Sequence, residues 1–370
     1  MSIDQRIIEI RRESSTDEPG DPERFRRVAL TEKEMMSQGT AIRSTLESNV
    51  EPLAKIGADL AGRTVRRVVM VGCGDSWIAG FGVRRAMERV LGAVCEPYEA
   101  FDFANYGLDV IDEETVVIGL SSSGKTEPVI DGLKDAAERG AYTVGLSNTL
   151  GSPLMVTFPG ALHIQATRGG WPTQSSTAAM ALLLAFAEAV AKAKGRDVSS
   201  LTAALAAIPD QVDAVANAYY EPAKELAKRL ARAELVMLAG AGAFFAPAAF
   251  GSAKLKELAP IHSYAFPLEE YHHYRTQKAG DPIFLVAGDS ESHHRALETA
   301  IMSQACEGLC VALVPEGETE ITEVADVTWH LPEVAAETAP MLYSVPIHLF
   351  GYHAAVERDA LGLGAPRLGG

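Results

Sequence analysis

Uninterrupted runs of β-branched and other apolar residues recur along the chain and alternate with segments in which apolar positions repeat every three to four residues. The first pattern predicts strands that are buried on both faces, and the second predicts helices. Strands of this kind are typical of parallel sheets covered by helices on both sides. The runs lie at residues 65–72, 114–120, 141–148, 161–167, 234–240, 282–288, 309–315 and 327–332.

The second series of runs repeats the first. Gly72, which ends the first run, aligns with Gly240 at an offset of 168 positions. The turn at Ser121 aligns with Gly288 at an offset of 167 positions. Two independent strand-and-turn units that agree within one residue indicate a tandem duplication of one α/β domain.

The remaining segments predict the domain organisation. Residues 1–31 start with a polar, charge-rich stretch of 21 residues and are predicted to form a loosely ordered N-terminal arm. Residues 32–200 are predicted to hold a helical lead-in, broken at Pro52, and a first domain. Residues 201–370 are predicted to hold linking helices, a second domain and a C-terminal segment. The predicted fold class is α/β, with two tandem doubly wound parallel-sheet domains and helical additions.

Composition narrows the class of function. Of the 370 residues, 47% are hydrophobic and 22% are charged, which is typical of a soluble globular protein. With 33 Lys and Arg against 49 Asp and Glu, the formal charge is −16, which disfavours nucleic acids and anionic membranes as partners. Four cysteines are too few for a disulfide framework, and no secretory signal precedes them. These features predict a cytoplasmic protein.

Two loops of the first half carry groups suited to an anionic ligand. The sequence GCGDS at residues 72–76 lets a ligand approach the backbone at the start of a helix. The sequence SSSGKT at residues 121–126 offers four hydroxyl groups beside another helix start. A tight turn and a simple capping run are the structural alternatives. Residues 119–126 also satisfy the P-loop pattern, but no later strand ends in a clear magnesium-binding Asp.

Acid–base groups cluster in the second half. Lys254 and Glu257 are three residues apart and share one helix face, which suits either a proton-transfer site or a surface ion pair. Residues 267–274, PLEEYHHY, bring together two carboxylates, two imidazoles and two phenols, a density typical of a functional site. No metal site is expected, because adjacent His272 and His273 diverge on a strand and lie about 100° apart on a helix.

These four motifs, in this order, resemble the tandem sugar isomerase (SIS) domain family. The resemblance is to the isomerase domain of glucosamine-6-phosphate synthase and to stand-alone phosphosugar isomerases and fructosamine-6-phosphate deglycases, and it covers about residues 32–367. It implies two flavodoxin-like domains. It also implies that Glu257 moves a proton between C1 and C2 of a sugar beside Lys254. His273 would open the sugar ring in the neighbouring subunit of a homodimer.

The resemblance further implies a set of substrate-binding residues drawn from both halves. They are Gly74, Ser76, Ser121, Ser122, Ser123, Thr126, Gln174, Ser175 and Glu270. Ser122 departs from the family, in which Gln is usual at this position.

The expected function is aldose–ketose isomerisation of a phosphorylated or otherwise anionic sugar or amino sugar, without a cofactor. A deglycase of the fructosamine-6-phosphate type is one alternative. A non-catalytic regulator that binds sugar phosphates is another, although the presence of both Glu257 and His273 favours catalysis.

Overall fold

A computed structural model describes residues 2–13 and 18–364 of the chain. The strands within these residues are β1 (Arg67–Gly72), β2 (Val94–Glu99), β3 (Thr115–Leu120), β4 (Tyr142–Ser147), β5 (Gly160–His163), β6 (Leu235–Gly240), β7 (His262–Pro267), β8 (Pro282–Val286), β9 (Leu309–Pro315) and β10 (Val327–Leu331). The α-helices are α1 (Ile3–Glu13), α2 (Pro22–Met35), α3 (Gln38–Ser48), α4 (Val50–Ala61), α5 (Asp75–Leu91), α6 (Ala100–Tyr106), α7 (Glu127–Glu138), α8 (Pro153–Thr157), α9 (Gln174–Ala193), α10 (Ser199–Leu230), α11 (Phe245–Leu258), α12 (Glu270–Tyr274), α13 (His293–Ala305), α14 (Glu320–Val324) and α15 (Ala339–Ala360).

The strands form two parallel five-stranded sheets. The first has the order β2-β1-β3-β4-β5, and the second has the equivalent order β7-β6-β8-β9-β10. This is the 2-1-3-4-5 order of flavodoxin-like sheets. The strands β1 and β6 hold equivalent places and begin at Arg67 and Leu235, 168 residues apart. The tandem α/β duplication predicted from the sequence is confirmed.

The hydrophobic pattern misses the same strand in each half. Both β2 and β7 lie at the edge of their sheet, beside β1 and β6 respectively. All but one residue of each strand are exposed or only partly buried, so their sequences, VCEPYE and HSYAFP, lack a continuous apolar run. Both also contain a proline, which an edge strand tolerates because one side of its backbone needs no partner strand.

Helical structure begins earlier than the composition predicts. A loosely ordered arm is expected over the first 21 residues, but residues 3–13 form α1, in which isoleucines at positions 3, 7 and 10 follow helical spacing. Helix α2 then begins at Pro22, and the side chain of Asp21 caps it by accepting a hydrogen bond from the Glu23 N–H. The short helix α1 was missed because charged residues surround its few apolar positions.

The helix break predicted at Pro52 lies three residues earlier. Helix α3 ends at Ser48, α4 starts at Val50, and Asn49 stands between them. Pro52 is in the first turn of α4, where a backbone N–H has no partner within the helix in any case. The proline is therefore accommodated just after the break and does not cause it.

Long helices join the two halves. The linking helices predicted from residue 201 are one helix, α10, which contains Pro209 and Pro222 and packs against α15. Helix α5 of the first half contacts α11 of the second half. One apolar core contains residues of both helices, such as Met87 and Phe250. Side chains from the two halves therefore meet where α5 and α11 cross.

Helix α9 is the most apolar helix of the first half. Among the described residues it is the one helix long and apolar enough to cross a membrane, and 78% of its apolar window is buried within the protein. It packs against α3, α4 and α5. Its apolar character is therefore that of a core helix.

Candidate functional site

A cleft of about 370 Å³ opens at the carboxyl ends of the strands of the first sheet. The loops after β1, β3, β4 and β5 line it, together with Glu257 from α11 of the second half. In open parallel sheets of this order, ligands bind at this edge, between β1 and β3. The two loops predicted to bind an anion therefore belong to one cleft.

The turn after β1 is built around two glycines. Gly74 caps the start of α5 with φ +55°, in the left-handed region that favours glycine. At Gly72 a Cβ atom would lie 2.8 Å from the backbone carbonyl carbon of Ser76. The turn is therefore tight enough to bring Gly74 and Ser76 to the wall of the cleft.

The hydroxyl groups after β3 are linked to one another. Ser121 Oγ lies 2.8 Å from Thr126 Oγ1 and 3.3 Å from Ser123 Oγ, and it accepts a hydrogen bond from the Gly124 N–H. Thr126 precedes α7 but does not cap that helix with its side chain. All four hydroxyl residues, including Ser122, line the cleft. Helix capping alone does not account for them.

Lys125, the lysine of the P-loop pattern, does not reach the cleft. Lys125 is exposed and does not line the cleft, whereas the lysine of a P-loop extends over the phosphates. Gly119, the first glycine of the pattern, lies within β3, as the sequence predicts. The geometry does not support the nucleotide-binding alternative.

Helix α2 braces the loop after β5. The buried carboxylate of Glu34 accepts hydrogen bonds from the Gly169 N–H at 2.7 Å, the Gly170 N–H at 3.2 Å and the Thr167 hydroxyl at 2.8 Å. Arg168, within this loop, lines the cleft. The helices before the first sheet therefore shape the cleft through this carboxylate.

At the start of α9, one residue supports the loop after β5 and two residues line the cleft. The buried amide of Gln174 donates to the Thr167 hydroxyl at 2.5 Å, and Gln174 does not line the cleft. Ser175 and Ser176 line it, and the Ser176 hydroxyl donates to Asp75 Oδ2 at 2.8 Å. Of the two residues expected to bind substrate here, the structure places Ser175 at the cleft and Gln174 behind the loop.

Lys254 joins the two halves at the base of the cleft. Its side chain is fully buried, and its Nζ atom donates to Glu257 Oε2 at 2.5 Å and to Asp75 Oδ2 at 3.0 Å. Glu257 keeps 36% of its side chain exposed, toward the cleft. This is not the surface ion pair that Lys and Glu three residues apart usually form.

The charges of this group shift one another's protonation. Burial raises the pKa of the Glu257 carboxyl; Lys254 opposes this, the negative Asp75 adds to it, and the resulting pKa lies above the ordinary value. Burial by itself lowers the pKa of Lys254, but Asp75 and Glu257 outweigh it and the pKa is raised. Lys254 therefore stays a cation, and Glu257, with its raised pKa, is the member of the pair better able to accept and release a proton.

His273 and Glu270 lie outside this cleft. Both belong to α12, after the edge strand β7, and neither lines the cleft. The His273 side chain is 63% exposed, and its Nε2 atom lies 3.4 Å from Glu269 Oε1. Within one chain, the structure does not bring His273 to Glu257.

Sequence reasoning missed four residues of the cleft that carry polar groups: Asp75, Asn148, Arg168 and Ser176. Asp75 stands inside the GCGDS sequence, but its partner Lys254 is 179 positions away and cannot be identified from local spacing. Asn148 and Arg168 each follow a strand end, which is the one signal that could have indicated them. Asn148 Oδ1 accepts a hydrogen bond from the Ser122 hydroxyl at 3.0 Å.

The cleft also contains a thiol. Burial, together with the neighbouring carboxylate of Glu99, raises the pKa of Cys73 to about 11, so the thiol is protonated at neutral pH and is a poor nucleophile. Among the residues that the structure describes, no group of three or more His, Cys, Asp or Glu side chains could hold a metal ion.

Comparison with known proteins gives two matches to one family model. The model for the SIS domain matches residues 63–192 and again residues 229–358. The isomerizing glutamine–fructose-6-phosphate aminotransferase of Bacteroides thetaiotaomicron is 30% identical over 298 residues, which cover 79% of this chain and 48% of the relative. The enzyme of the same description from Thermus thermophilus is 27% identical over 334 residues, covering 88% and 55%. The chain thus spans about half the length of the curated relatives it matches.

Solved structures share the fold. The C-terminal domain of glucosamine-fructose-6-phosphate aminotransferase from Francisella tularensis superposes with a TM-score of 0.77 at 19% identity, covering 89% of this chain and 96% of that one. Tagatose-6-phosphate ketose/aldose isomerase from Escherichia coli superposes with a TM-score of 0.71 at 15% identity, covering 88% and 92%.

Proposed function

Because the chain belongs to the SIS domain family, we propose that its cleft binds a phosphorylated sugar and interconverts the aldose and ketose forms by moving a proton between C1 and C2. The observation that carries this proposal is the position of Glu257. Its carboxylate faces the same cleft as the hydroxyl loop of residues 121–126, and it is held there by a buried cation. One cleft thus offers an anion site and a general base.

The hydroxyl loop would hold the phosphate. Ser121, Ser123 and Thr126 stand beside the start of α7, where backbone N–H groups and the helix dipole favour an anion. Gly74 and Ser76, at the start of α5, face the same space. These neutral groups can bind a phosphate although the chain as a whole is acidic.

Glu257 would carry the proton. In the ionised form it takes the proton from C2 of an open-chain aldose, the C2–H electron pair forms the C1–C2 double bond of an enediol, and the C1 oxygen gains a proton. Return of the proton to C1, with loss of the C2 hydroxyl proton, gives the ketose. The raised pKa of Glu257 suits this exchange, because a carboxyl with a pKa nearer neutrality both accepts and releases a proton readily. Lys254 fixes the carboxylate and offers a positive charge beside the developing enediolate.

Ring opening would fall to His273 of a neighbouring subunit. We propose a homodimer because the His273 side chain is exposed and stands outside the cleft of its own chain. In a dimer this imidazole would complete the partner's cleft, with Glu270 alongside it. The absence of a cofactor requirement and a cytoplasmic location stay predictions from the sequence.

The pair of carboxylates at the base of the cleft favours a second candidate. Asp75 and Glu257 share a single lysine, so the group carries one excess negative charge when both are ionised. A protonated amine would be attracted there. Deglycation of a fructosamine 6-phosphate, or isomerisation of an amino sugar phosphate, would use the same proton transfer.

The test is solvent proton exchange in deuterium oxide, followed by NMR, with fructose 6-phosphate, glucosamine 6-phosphate and a fructosamine 6-phosphate as substrates. We expect deuterium at C1 or C2 of the true substrate and no exchange with the Glu257→Gln variant. Glu225→Gln is the matched control, because Glu225 forms the same kind of pair with Lys228 on the exposed face of α10. Binding without exchange in the unmodified protein would indicate the non-catalytic regulator instead.

A further inference from the structure

The cleft contains one cation that the proposed chemistry has not used. Among the described residues that line the cleft, Arg168 is the only Lys or Arg. Its Nη1 atom donates to Thr149 Oγ1 at 3.1 Å, and the Thr149 hydroxyl in turn donates to the backbone carbonyl of Ser122 at 3.1 Å. The guanidinium is thus linked to the hydroxyl loop through a single side chain.

The loop that carries Arg168 is held in place by its neighbours on both sides. Glu34 accepts three hydrogen bonds from residues 167, 169 and 170, and Thr31 accepts one from the Trp171 N–H at 2.9 Å. The backbone at Arg168 is therefore positioned, while the side chain itself is exposed at the cleft. Because its backbone is fixed, the loop holds the Arg168 side chain at a defined place in the cleft, as a ligand contact requires.

Most of the guanidinium remains available to a ligand. Arginine has five N–H donors, and within residues 2–13 and 18–364 the structure shows one hydrogen bond from Arg168, to a neutral hydroxyl. No ion pair to a described carboxylate is recorded for it, whereas other arginines at the surface, such as Arg84 with Glu88, have one. In a chain of formal charge −16, an arginine placed this way is suited to a ligand anion.

We propose that Arg168 is a specificity-determining residue of the anion site, which selects a doubly charged phosphate ester over a singly charged anion of the same shape. The inference rests on the proposed function, since it assigns a further contact within that site. Hydroxyls and helix N–H groups recognise tetrahedral oxygens chiefly through hydrogen bonds. A guanidinium adds charge-assisted, bidentate contacts, and its attraction grows with the charge of the ligand.

Fructose 6-phosphate and fructose 6-sulfate separate charge from shape. A phosphate ester carries about two negative charges above its second pKa near 6, whereas a sulfate ester carries one. Dissociation constants are measured by calorimetry at pH 7.5 for the full chain and for Arg168→Gln. We expect the variant to bind fructose 6-phosphate about ten- to a hundredfold more weakly and the sulfate about threefold more weakly, so that the preference for phosphate falls.

Three further variants distinguish a direct contact from other effects. Lys134→Gln removes an exposed positive charge on α7, outside the cleft, and we expect it to change the affinity for neither ligand more than about twofold. Arg168→Lys keeps the charge and should restore part of the phosphate preference. Thr149→Val keeps the arginine but removes the hydroxyl that accepts its hydrogen bond, and it should reduce the preference for phosphate less than Arg168→Gln does. Thermal unfolding of each variant confirms that the fold is retained.

The experiment distinguishes a failure of the Arg168 inference from a failure of the proposed function. If the unmodified protein binds fructose 6-phosphate and Arg168→Gln keeps the same preference for phosphate over sulfate, Arg168 is not the selecting group, and the proposed function stands. An equal loss of affinity for fructose 6-phosphate and fructose 6-sulfate in Arg168→Gln would also overturn the inference, because it indicates a general effect on the loop. If the unmodified protein binds none of the sugar phosphates, the proposed function fails and this inference fails with it.

Discussion

The Nζ atom of Lys254 lies 3.0 Å from Oδ2 of Asp75, and these two residues belong to different halves of the duplicated chain. Asp75 opens α5 of the first half, and Lys254 lies on α11 of the second. The ammonium group also holds Glu257, which places the proposed base at a cleft formed otherwise by the first half. The duplication therefore yields one composite site from two copies of the domain.

Replacing Asp75 with Asn should move the pH profile of the reaction. The negative charge of Asp75 raises the pKa of Glu257, and Glu257 must be ionised to act as a base. Activity is lost as the pH falls through this pKa. Removal of the charge lowers the pKa, so the acidic limb of kcat/KM should shift to lower pH, while kcat falls about tenfold because Lys254 loses an anchor. Initial rates across pH values measure both effects.

The matched control is Asp59→Asn, which removes a surface carboxylate paired with Lys55 at 2.9 Å. It should leave the acidic limb in place. An unshifted limb in an active Asp75→Asn variant would mean that another group, and not Glu257, sets this limb.

Mixing two inactive variants should restore activity if His273 acts across a dimer. Glu257→Gln and His273→Ala are unfolded together and refolded as a mixture. A mixed dimer then has one cleft with both defects and one cleft with none, so random pairing restores roughly a quarter of the unmodified activity. Each variant refolded alone is the control. If His273 served the cleft of its own chain, every cleft would keep one defect and no activity would return.

Substituting Glu34 should loosen the loop after β5 and weaken substrate binding. Glu34→Ala leaves the N–H groups of Gly169 and Gly170 and the hydroxyl of Thr167 without their acceptor. We expect a loss of about 1 to 3 kcal/mol in the free energy of unfolding, and a rise in KM that exceeds the fall in kcat. Denaturant titration and steady-state kinetics measure the two effects. Glu23→Ala, at an exposed position of α2, should change neither the free energy of unfolding nor KM. If Glu34→Ala left KM unchanged, the Glu34 carboxylate would have no part in substrate binding.

Removal of a buried imidazole should stabilise the protein, above all in acid. His348 is fully buried on α15, and neither ring nitrogen has a hydrogen-bond partner among the described residues. Burial, with the nearby charge of Lys254, lowers the pKa of His348 from 6.5 to about 3. Between these values the unfolded chain binds a proton that the folded chain does not, so this residue reduces stability as the pH falls below 6.5.

His348→Met fills a similar volume without polar atoms and should raise the free energy of unfolding by about 1 kcal/mol at pH 7.5. The gain should grow by up to about 1.4 kcal/mol per pH unit below about 6.5. Denaturant unfolding at pH 7.5 and pH 5.5 measures it, and His294→Met, at an exposed position, provides the control. A gain that did not change with pH would show that His348 is not buried in the neutral form.

Much of the fold could be predicted because buried strands are apolar throughout. Strands β1, β3, β4, β6, β8 and β9 are buried along nearly their whole length, and each coincides with a predicted run. The edge strands β2 and β7 were missed because solvent on one side permits polar residues. The helix start expected beside the hydroxyl loop is confirmed, because α7 begins at Glu127.

The sequence by itself determined the duplication, the parallel sheets and the loops that line the cleft, because periodicity and turn residues act over a few positions of the chain. It did not determine which charged pairs are buried. Lys254 with Glu257 and Glu225 with Lys228 have the same spacing, yet the first pair is enclosed at the cleft and the second is exposed on α10. The packing of α11 against α5 and α15 decides this, since it removes water from Lys254, and α5 brings Asp75 to it from 179 positions away. The tertiary structure, and not the spacing of Lys254 and Glu257 in the sequence, therefore decides that this pair is buried at the base of the cleft.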